Sequence, residues 1–311
     1  MTLLRKKSLL AAKLEATIGT AETLAAGDAA FIAINPELNP EADEHPRQAP
    51  GTLSPLADVI GARRGVAEAE IEMEGKGSSG SPAWASVFLP ACGMWDDSNT
   101  WKLKSGAPST VAGNPRTITV ARYVDGLRYM LAGAIAQSAA IVMENGQPPR
   151  LRLGLIGKYS SVADATMLAP TLPATVPPRC NSLTLTIGAA SIRCNRIEID
   201  LGLETVLRQD VTDASGYYAG CITGRRIVVN AEPEAELVTT RDDYGLWLAG
   251  TTAALSIVVG SDAGNRFTIT IPAAQRLQVK PGDRDGVLTT QIQFLATRSA
   301  ANDDEMTLAF T

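Results

Sequence analysis

Alternating apolar and polar positions mark two stretches near the middle of the chain. The stretch RTITVARYV alternates between its faces from Ile118 to Val124, and RLRLGLIGKY places a leucine at every second position from Leu151 to Leu155. A period of two puts every second side chain on one face of an extended chain. Both stretches are therefore predicted to be strands.

A long apolar segment, residues 125–146, lies between these strands and could be a membrane span, a buried helix or part of a sheet. A transmembrane helix needs about 20 apolar residues, but Arg128 and Glu144 bracket a shorter charge-free stretch. The preceding strand and the Asn-Gly and Pro-Pro turn signals that follow favour a sheet. We expect strands at residues 127–133 and 139–144, separated by a bend at 134–138.

A second copy of this pattern lies near the C-terminus, in residues 265–299. The pair of residues that begins at Arg128 matches the pair that begins at Arg266, and the alternation FTITI follows. Pro272 then forbids a continuing helix and bends the chain. The second copy therefore supports strands in the first.

Each half also contains two adjacent arginines, an alternating stretch and then a short apolar segment with a tryptophan. The apolar segment follows Ser81 and contains Trp84 in the first half, and it follows Asp242 and contains Trp247 in the second. Serine and aspartate are favoured at helix N-caps. One short helix is therefore predicted in each half.

These patterns predict an all-β fold with minor helix, built as two tandem β-sandwich or barrel domains that each have one flanking short helix. Long polar loops are expected at residues 35–60 and 202–220. Four prolines between Pro170 and Pro178 indicate a stiff linker. The expected division is a first domain with an N-terminal arm at 1–168, a linker at 169–179 and a second domain at 180–311.

Composition and charge narrow the possible functions. Hydrophobic residues make up 45% and charged residues 20%, as in globular proteins, while aromatic residues are only 5%. The net charge is −5, with 16 basic and 16 acidic residues up to residue 160 and 12 basic and 17 acidic residues after it. Without a basic stripe, tight nucleic-acid binding is not expected. An acidic surface suits a place where nucleic acid must pass without sticking.

The cysteines and the N-terminus bear on the compartment. Cys92, Cys180, Cys194 and Cys221 form no C-x-x-C pair, so we expect reduced and mostly buried thiols. The basic N-terminus is followed by an apolar run of only residues 9–12, which is too short for the core of a signal peptide. We expect an exposed basic arm or a short helix there instead.

Candidate catalytic motifs are weak. GKGSSG at residues 75–80 lacks the first glycine and the final hydroxyl residue of a phosphate loop, and GDRDG at 282–286 lacks the later ligands of a calcium loop. Both are predicted to be turns. His45 is the single histidine, which gives little support to a Ser-His-Asp or zinc site. Two-carboxylate glycosidase chemistry stays open, but aromatic sugar platforms are scarce.

Three carboxylate clusters could bind a cation, although solvated surface and helix caps explain them more simply. They are Asp96-Asp97, Asp242-Asp243 and Asp303-Asp304-Glu305. We therefore expect a protein that is not an enzyme, with no catalytic, cofactor-binding or metal-binding residues and no cofactor.

The order of these patterns resembles the tail tube, or major tail, proteins of long-tailed bacteriophages (siphoviruses). The likeness is carried in the second half by strand 265–272 ending in PAAQ, by strand 286–297 and by the final NDDEMTLAF. In the first half it is carried by LEATIGTAETLAAGDAAF, GARRG and PAWASVFLPACG. The likeness covers most of the chain and rests on order and pattern.

The resemblance implies sandwich domains whose inner sheets join across subunits into a closed barrel, with rings that stack into a tube for DNA ejection. The family's usual one-domain subunit forms six-fold rings, so two tail-tube-like domains per chain imply trimeric, pseudo-hexameric rings. Long loops would contact the next ring, and Asp and Glu facing the channel would repel DNA.

The resemblance also implies partners and a location. The expected partners are copies of the chain itself, in a trimeric or hexameric ring, other tail proteins (tape measure, terminator and distal tail), and DNA in transit without specific binding. The expected location is the virion tail, assembled in the host bacterial cytoplasm, without membrane insertion. A tail terminator or adaptor ring, and a secreted all-β binding module, stay open as alternatives.

Overall fold

The computed structural model describes residues 2–77, 80–105, 116–188 and 190–311. The first half contains strands β1 Ser8–Leu14, β2 Ala33–Gln48, β3 Pro55–Glu72, β4 Met94–Asp97, β5 Thr100–Leu103, β6 Ile118–Val124, β7 Leu127–Glu144, β8 Arg150–Tyr159 and β9 Ala163–Asp164. The second half contains β10 Thr184–Ile187, β11 Ala190–Ser191, β12 Cys194–Asp200, β13 Leu203–Gln209, β14 Tyr217–Arg225, β15 Val228–Pro233, β16 Thr252–Val259, β17 Phe267–Arg284, β18 Val287–Ala296 and β19 Thr307–Phe310.

Helices are few in the described part of the chain. Each half has one α-helix, α1 at Ala83–Ala91 and α2 at Asp243–Leu248, and short 3-10 helices cover Ala26–Ala29 and Cys180–Ser182. The predicted all-β fold with minor helix is confirmed. None of the helices in the described ranges is long and apolar enough to cross a membrane.

The apolar segment at residues 125–146 is a strand, as predicted, but it is a single strand. The expected bend is a pair of bulges inside β7, where the registers with β6 and β8 shift and Gly133 adopts a φ of 59°. An extra residue on one strand bends the ladder without ending it. The prediction of two separate strands is therefore wrong.

Strand β17 repeats this behaviour and passes through Pro272 to Arg284. Its register with β16 shifts beside Pro272, so a bulge accommodates the proline. The first residues of the two long strands, Leu127 and Phe267, each pair with a short late strand, β9 and β19. Leu127 thus corresponds to Phe267, so the sequence match of Arg128 with Arg266 is displaced by two residues. Similar side chains do not determine how strands pair.

The predicted long loops at 35–60 and 202–220 are wrong, since both regions are mostly β-hairpins. β2 pairs with β3 from Ala33↔Ile71 to Gln48↔Pro55, and β13 pairs with β14. Proline, glutamate and aspartate have poor β propensity and masked the alternation. Backbone pairing in the hairpin overrides that weak local preference.

The N-terminal prediction of a basic arm or short helix is also wrong for Ser8–Leu14. These residues form β1, which pairs with β6, and Ala11 and Ala12 are fully buried. Small alanines fit a closely packed sheet, yet they give no clear strand signal in the sequence.

Both predicted short helices are present, with different starts. Asp242 caps α2 as predicted, since its side chain accepts a hydrogen bond from Gly245 N at 2.7 Å. Helix α1 begins after Pro82 instead of Ser81. The Ser81 hydroxyl accepts a hydrogen bond from Trp101 Nε1 at 2.9 Å and donates one to Asp96.

Two sheet layers share the long strands β7 and β17, which turn from one layer into the other at their bulges. The first layer, called here the inner sheet, has the strand order β2-β3-β8-β7-β12-β15-β18-β17. The second layer contains β1-β6-β7 and β10-β16-β17-β19-β5-β4. The core contains fully buried Trp84, Phe88, Phe267 and Phe294.

Candidate functional site

One face of the inner sheet is lined with charged and amide side chains. Along each strand, buried apolar residues alternate with polar residues that point the other way, and paired residues share a face. The acidic members of this polar face are Glu37, Glu68, Glu70, Glu72, Glu144, Glu198, Asp200 and Glu232. The basic members are Arg150, Arg152, Arg196, Lys280 and Arg284. Carboxylates thus outnumber cations on this face.

A chain of ion pairs crosses the middle of the polar face. Arg152 lies 3.6 Å from a Glu70 oxygen and 3.9 Å from a Glu198 oxygen, and Glu198 also contacts Arg196 at 2.5 Å. These groups are partly exposed, so each pair contributes little stability by itself. The excess charge of the polar face is negative.

The two halves of the chain join in the middle of the inner sheet. Strand β7 of the first half pairs with β12 of the second, from Glu144↔Arg196 to Ala140↔Asp200. This β7·β12 junction makes the two four-stranded parts one continuous eight-stranded sheet.

Both outer strands of the inner sheet are open. Among the described residues, β2 pairs only with β3, and β17 beyond Gln275 pairs only with β18. An unpaired edge offers a row of backbone donors and acceptors to another strand. The chain therefore carries two open edges, one at each end of the same sheet.

The glycine motifs are turns where the structure describes them. In the 75–80 motif, Gly77 N donates to Gly264 O at 2.8 Å, while Ser78 and Ser79 lie outside the described residues. In the 282–286 motif, Asp285 and Gly286 have positive φ and connect β17 to β18. The predicted hairpin turn there is confirmed.

The candidate catalytic residues are scattered. His45 is exposed in β2 opposite Val59. All four cysteines are free, with Cys92 and Cys180 buried and the other two partly buried. In the described ranges, no group of three or more His, Cys, Asp or Glu side chains is placed to hold a metal ion.

The carboxylate clusters serve local structure. Asp243 is buried between Arg241, at 2.7 Å, and Arg276, at 3.0 Å. Asp303 lies 2.6 Å from Arg225, and Asp304 accepts hydrogen bonds from three backbone amides of the loop before it. The pair at residues 96–97 contacts a serine and a lysine.

A buried carboxylate at Glu15 was not predicted, because no local pattern marks it. The residue as a whole is 1% exposed. Its carboxylate accepts hydrogen bonds from Gly133 N at 2.6 Å and Gly19 N at 2.7 Å. The hydroxyls of Thr117 and Thr119 also donate to it. Glu15 therefore fixes the bulge of β7, although it lies far away in the sequence.

A bent β-sandwich with a polar sheet face and two open sheet edges suits a protein that assembles with other chains through strand pairing. The family model described as phage tail tube protein matches residues 6–307. The chain belongs to the phage tail tube protein family, which confirms the resemblance seen in the sequence, and it is a structural component of the virion tail. Comparison with curated proteins finds no match.

Proposed function

We propose that this protein is the tube subunit itself, and that three chains close into a ring whose stacked copies form the channel for DNA ejection. In this proposal, residues 1–168 and 180–311 are tandem tail-tube-like domains joined by the linker 169–179. The chain then supplies two of the six units that a pseudo-six-fold ring needs.

Support for a tandem repeat comes from strand pairing. In the first half Leu38 pairs with Ala67 and Ala67 with Leu155, and in the second half β12, β15 and β18 pair in the same order. The ladders β2·β3 and β12·β15 each have a bulge near the same position, after Ile34 in the first half and, one residue pair earlier, after Cys194 in the second. Matching bulges favour duplication over two unrelated β-rich segments.

Support for ring closure comes from the β7·β12 junction. In the proposed repeat, β17 corresponds to β7 and β2 corresponds to β12, and these are the two open edges of the inner sheet. Pairing β17 of one copy with β2 of the next would repeat the internal junction between chains. A head-to-tail interface of this kind gives a closed ring when its rotation closes, and the ring removes both edges.

The polar face would line the channel. DNA carries a high density of negative charge, and a wall with excess carboxylates offers no net counterion release on contact. Like charges repel, so DNA would move past this wall without specific binding. The chain would assemble in the host bacterial cytoplasm and contact other tail proteins (tape measure, terminator and distal tail) at the tube ends.

The proposal rests on the β7·β12 junction and on the two unpaired edges, β2 and β17, that correspond to it. The test is the mass of isolated rings by native mass spectrometry, combined with negative-stain microscopy of the purified protein. Three chains per ring and regular stacked tubes are expected. Six chains per ring would contradict the tandem-domain ring, and single rings that never stack would favour a terminator or adaptor.

A further inference from the structure

The two halves each carry a hairpin that extends beyond the inner sheet. The first distal hairpin is residues 42–63, the outer part of β2 and β3, and the second distal hairpin is residues 203–225, formed by β13 and β14. Their registers correspond: Gln48 pairs with Pro55 in the first, and Gln209 pairs with Tyr217 in the second. Both ladders also contain two register shifts at matching places.

The second distal hairpin folds back onto the first half of its own chain. Arg63 N donates to Ser215 O at 2.8 Å, and Lys158 Nζ lies 2.7 Å from Asp213. Tyr217 is 4% exposed and Ala219 fully buried. This hairpin is therefore packed against the neighbouring half of the sheet.

Beyond its base at Arg63, the first distal hairpin has no such partner within the described chain. Leu53 at its tip is 94% exposed, Ile60 is 57% exposed and Val59 is 50% exposed. Counted back from the matched pairs Gln48↔Pro55 and Gln209↔Tyr217, Leu53 lies two residues before the return strand, as buried Ser215 does in the second hairpin. An exposed leucine at the position of a buried serine indicates a surface that is covered in the assembled state.

A matching receiving surface lies open on the second half. It is a depression of about 260 Å³ whose lining includes Arg225, Arg226 and Thr297, and the Arg225 side chain is paired with Asp303 and Glu305 of the same chain. Strand pairing matches these residues with Arg63, Arg64 and Lys158, the residues that hold the second distal hairpin. The depression is thus the second-half counterpart of an occupied docking site.

The occupied docking site and its hairpin share an ion pair that the open site and the free hairpin lack. In the occupied site, Lys158 pairs with Asp213. In the open site Thr297 takes the place of Lys158, and the first tip, residues 49–54, is one residue shorter than the second tip and contains no charged residue. If only one partner of this ion pair were missing, the other would be a partly buried, unpaired charge, which is costly. The open site and the free hairpin together lack both partners of the ion pair.

We propose that the first distal hairpin of one copy docks into the Arg225–Thr297 depression of the adjacent copy in the same ring. This inference rests on the proposed function, since the adjacent copy is the one whose β17 edge pairs with β2. It departs from the expectation that this loop contacts the next ring.

The test compares two cysteine variants of the full chain, before and after assembly. Leu53→Cys is fully accessible in the free chain, and Val211→Cys is the matched control because Val211 is exposed on the already docked hairpin. Maleimide labelling is quantified at each site by peptide mass spectrometry, so native cysteines do not interfere. In isolated single rings, labelling at position 53 is expected to fall about tenfold or more, while labelling at 211 is unchanged.

A cross-linking arm identifies the partner surface. With both Leu53→Cys and Thr297→Cys present, a short bismaleimide is expected to link separate chains in single rings, and each variant alone should give no such link. Rings in which position 53 stays reactive, or is protected only after rings stack, would overturn the inference while leaving the ring intact. Failure of the unmodified protein to form rings would overturn the proposed function and this inference with it.

Discussion

Glu74 is a buried carboxyl group just after β3, and it couples stability to pH. Burial, assisted by the charge of nearby Glu72, raises the pKa of Glu74 from 4.5 to about 7. The folded state therefore holds a proton that the unfolded chain releases at lower pH. Between about pH 4.5 and 7 the folded state binds more protons, so stability falls as pH rises through this window.

Replacing Glu74 with glutamine should remove this pH dependence, because the amide stays neutral throughout. The melting temperature of Glu74→Gln relative to the original protein is expected to rise from about pH 4.5 to 7 and then level off. Thermal unfolding across that window measures it. Exposed Glu44→Gln is the matched control, and a Glu74→Gln curve parallel to the original at every pH would refute the assignment.

Other residue roles depend on partners that are distant in sequence. Asp242 was predictable, because an N-cap acts on amides two or three residues away. Glu15 was not, since three of its four donors, on Thr117, Thr119 and Gly133, are distant in sequence and meet it only after the sheet has formed. The same holds for Ser81, whose tryptophan partner lies in β5. A helix cap can therefore be predicted from neighbouring residues, whereas a hydrogen bond between distant segments cannot.

The bulge of β7 is the element that turns the chain from one layer into the other. Gly133 has a φ of 59°, and a Cβ there would lie 3.0 Å from both Cα and Cβ of Ala219 in β14. Alanine at this position would suffer both backbone strain and crowding against the second distal hairpin.

Gly133→Ala is therefore expected to lower the free energy of unfolding by about 1–3 kcal/mol and to speed amide exchange in β14. Urea unfolding and hydrogen exchange measure the two effects. Gly27→Ala is the matched control, since nothing lies within 4 Å of its added Cβ. Equal stability of the two variants would show that the bulge tolerates a side chain.

Element prediction succeeded where one face of a strand is buried. β8 alternates because its inner residues, such as Leu151 and Leu153, enter the core. β6 is buried on both faces, and its β-branched residues marked it as a strand. The outer parts of β2 and β3 are exposed on both faces, so no hydrophobic period marks them. Strand order in the inner sheet was equally invisible, because the β7·β12 pairing joins distant segments and local pattern does not encode register.

At the scale of the whole molecule, a proline, Pro281, lies on the open β17 edge of the inner sheet. In the β7·β12 junction, Ala139 O accepts from Leu201 N and Asn145 N donates to Asn195 O, so every second residue of β7 faces β12. Pro281 of β17 matches Ile141, one of these facing residues. Proline on an edge strand removes an outward donor and restrains unwanted pairing.

Pro281→Val should therefore favour assembly, because it restores one donor at each proposed β17·β2 contact. A net gain of about 0.5–1.5 kcal/mol per hydrogen bond corresponds to an about twofold to tenfold tighter contact. Analytical ultracentrifugation over a concentration series should show rings forming at correspondingly lower concentration. Pro272→Val is the matched control, an exposed proline of the same strand outside that contact. If both variants assemble like the original protein, the β17 edge does not pair in this register.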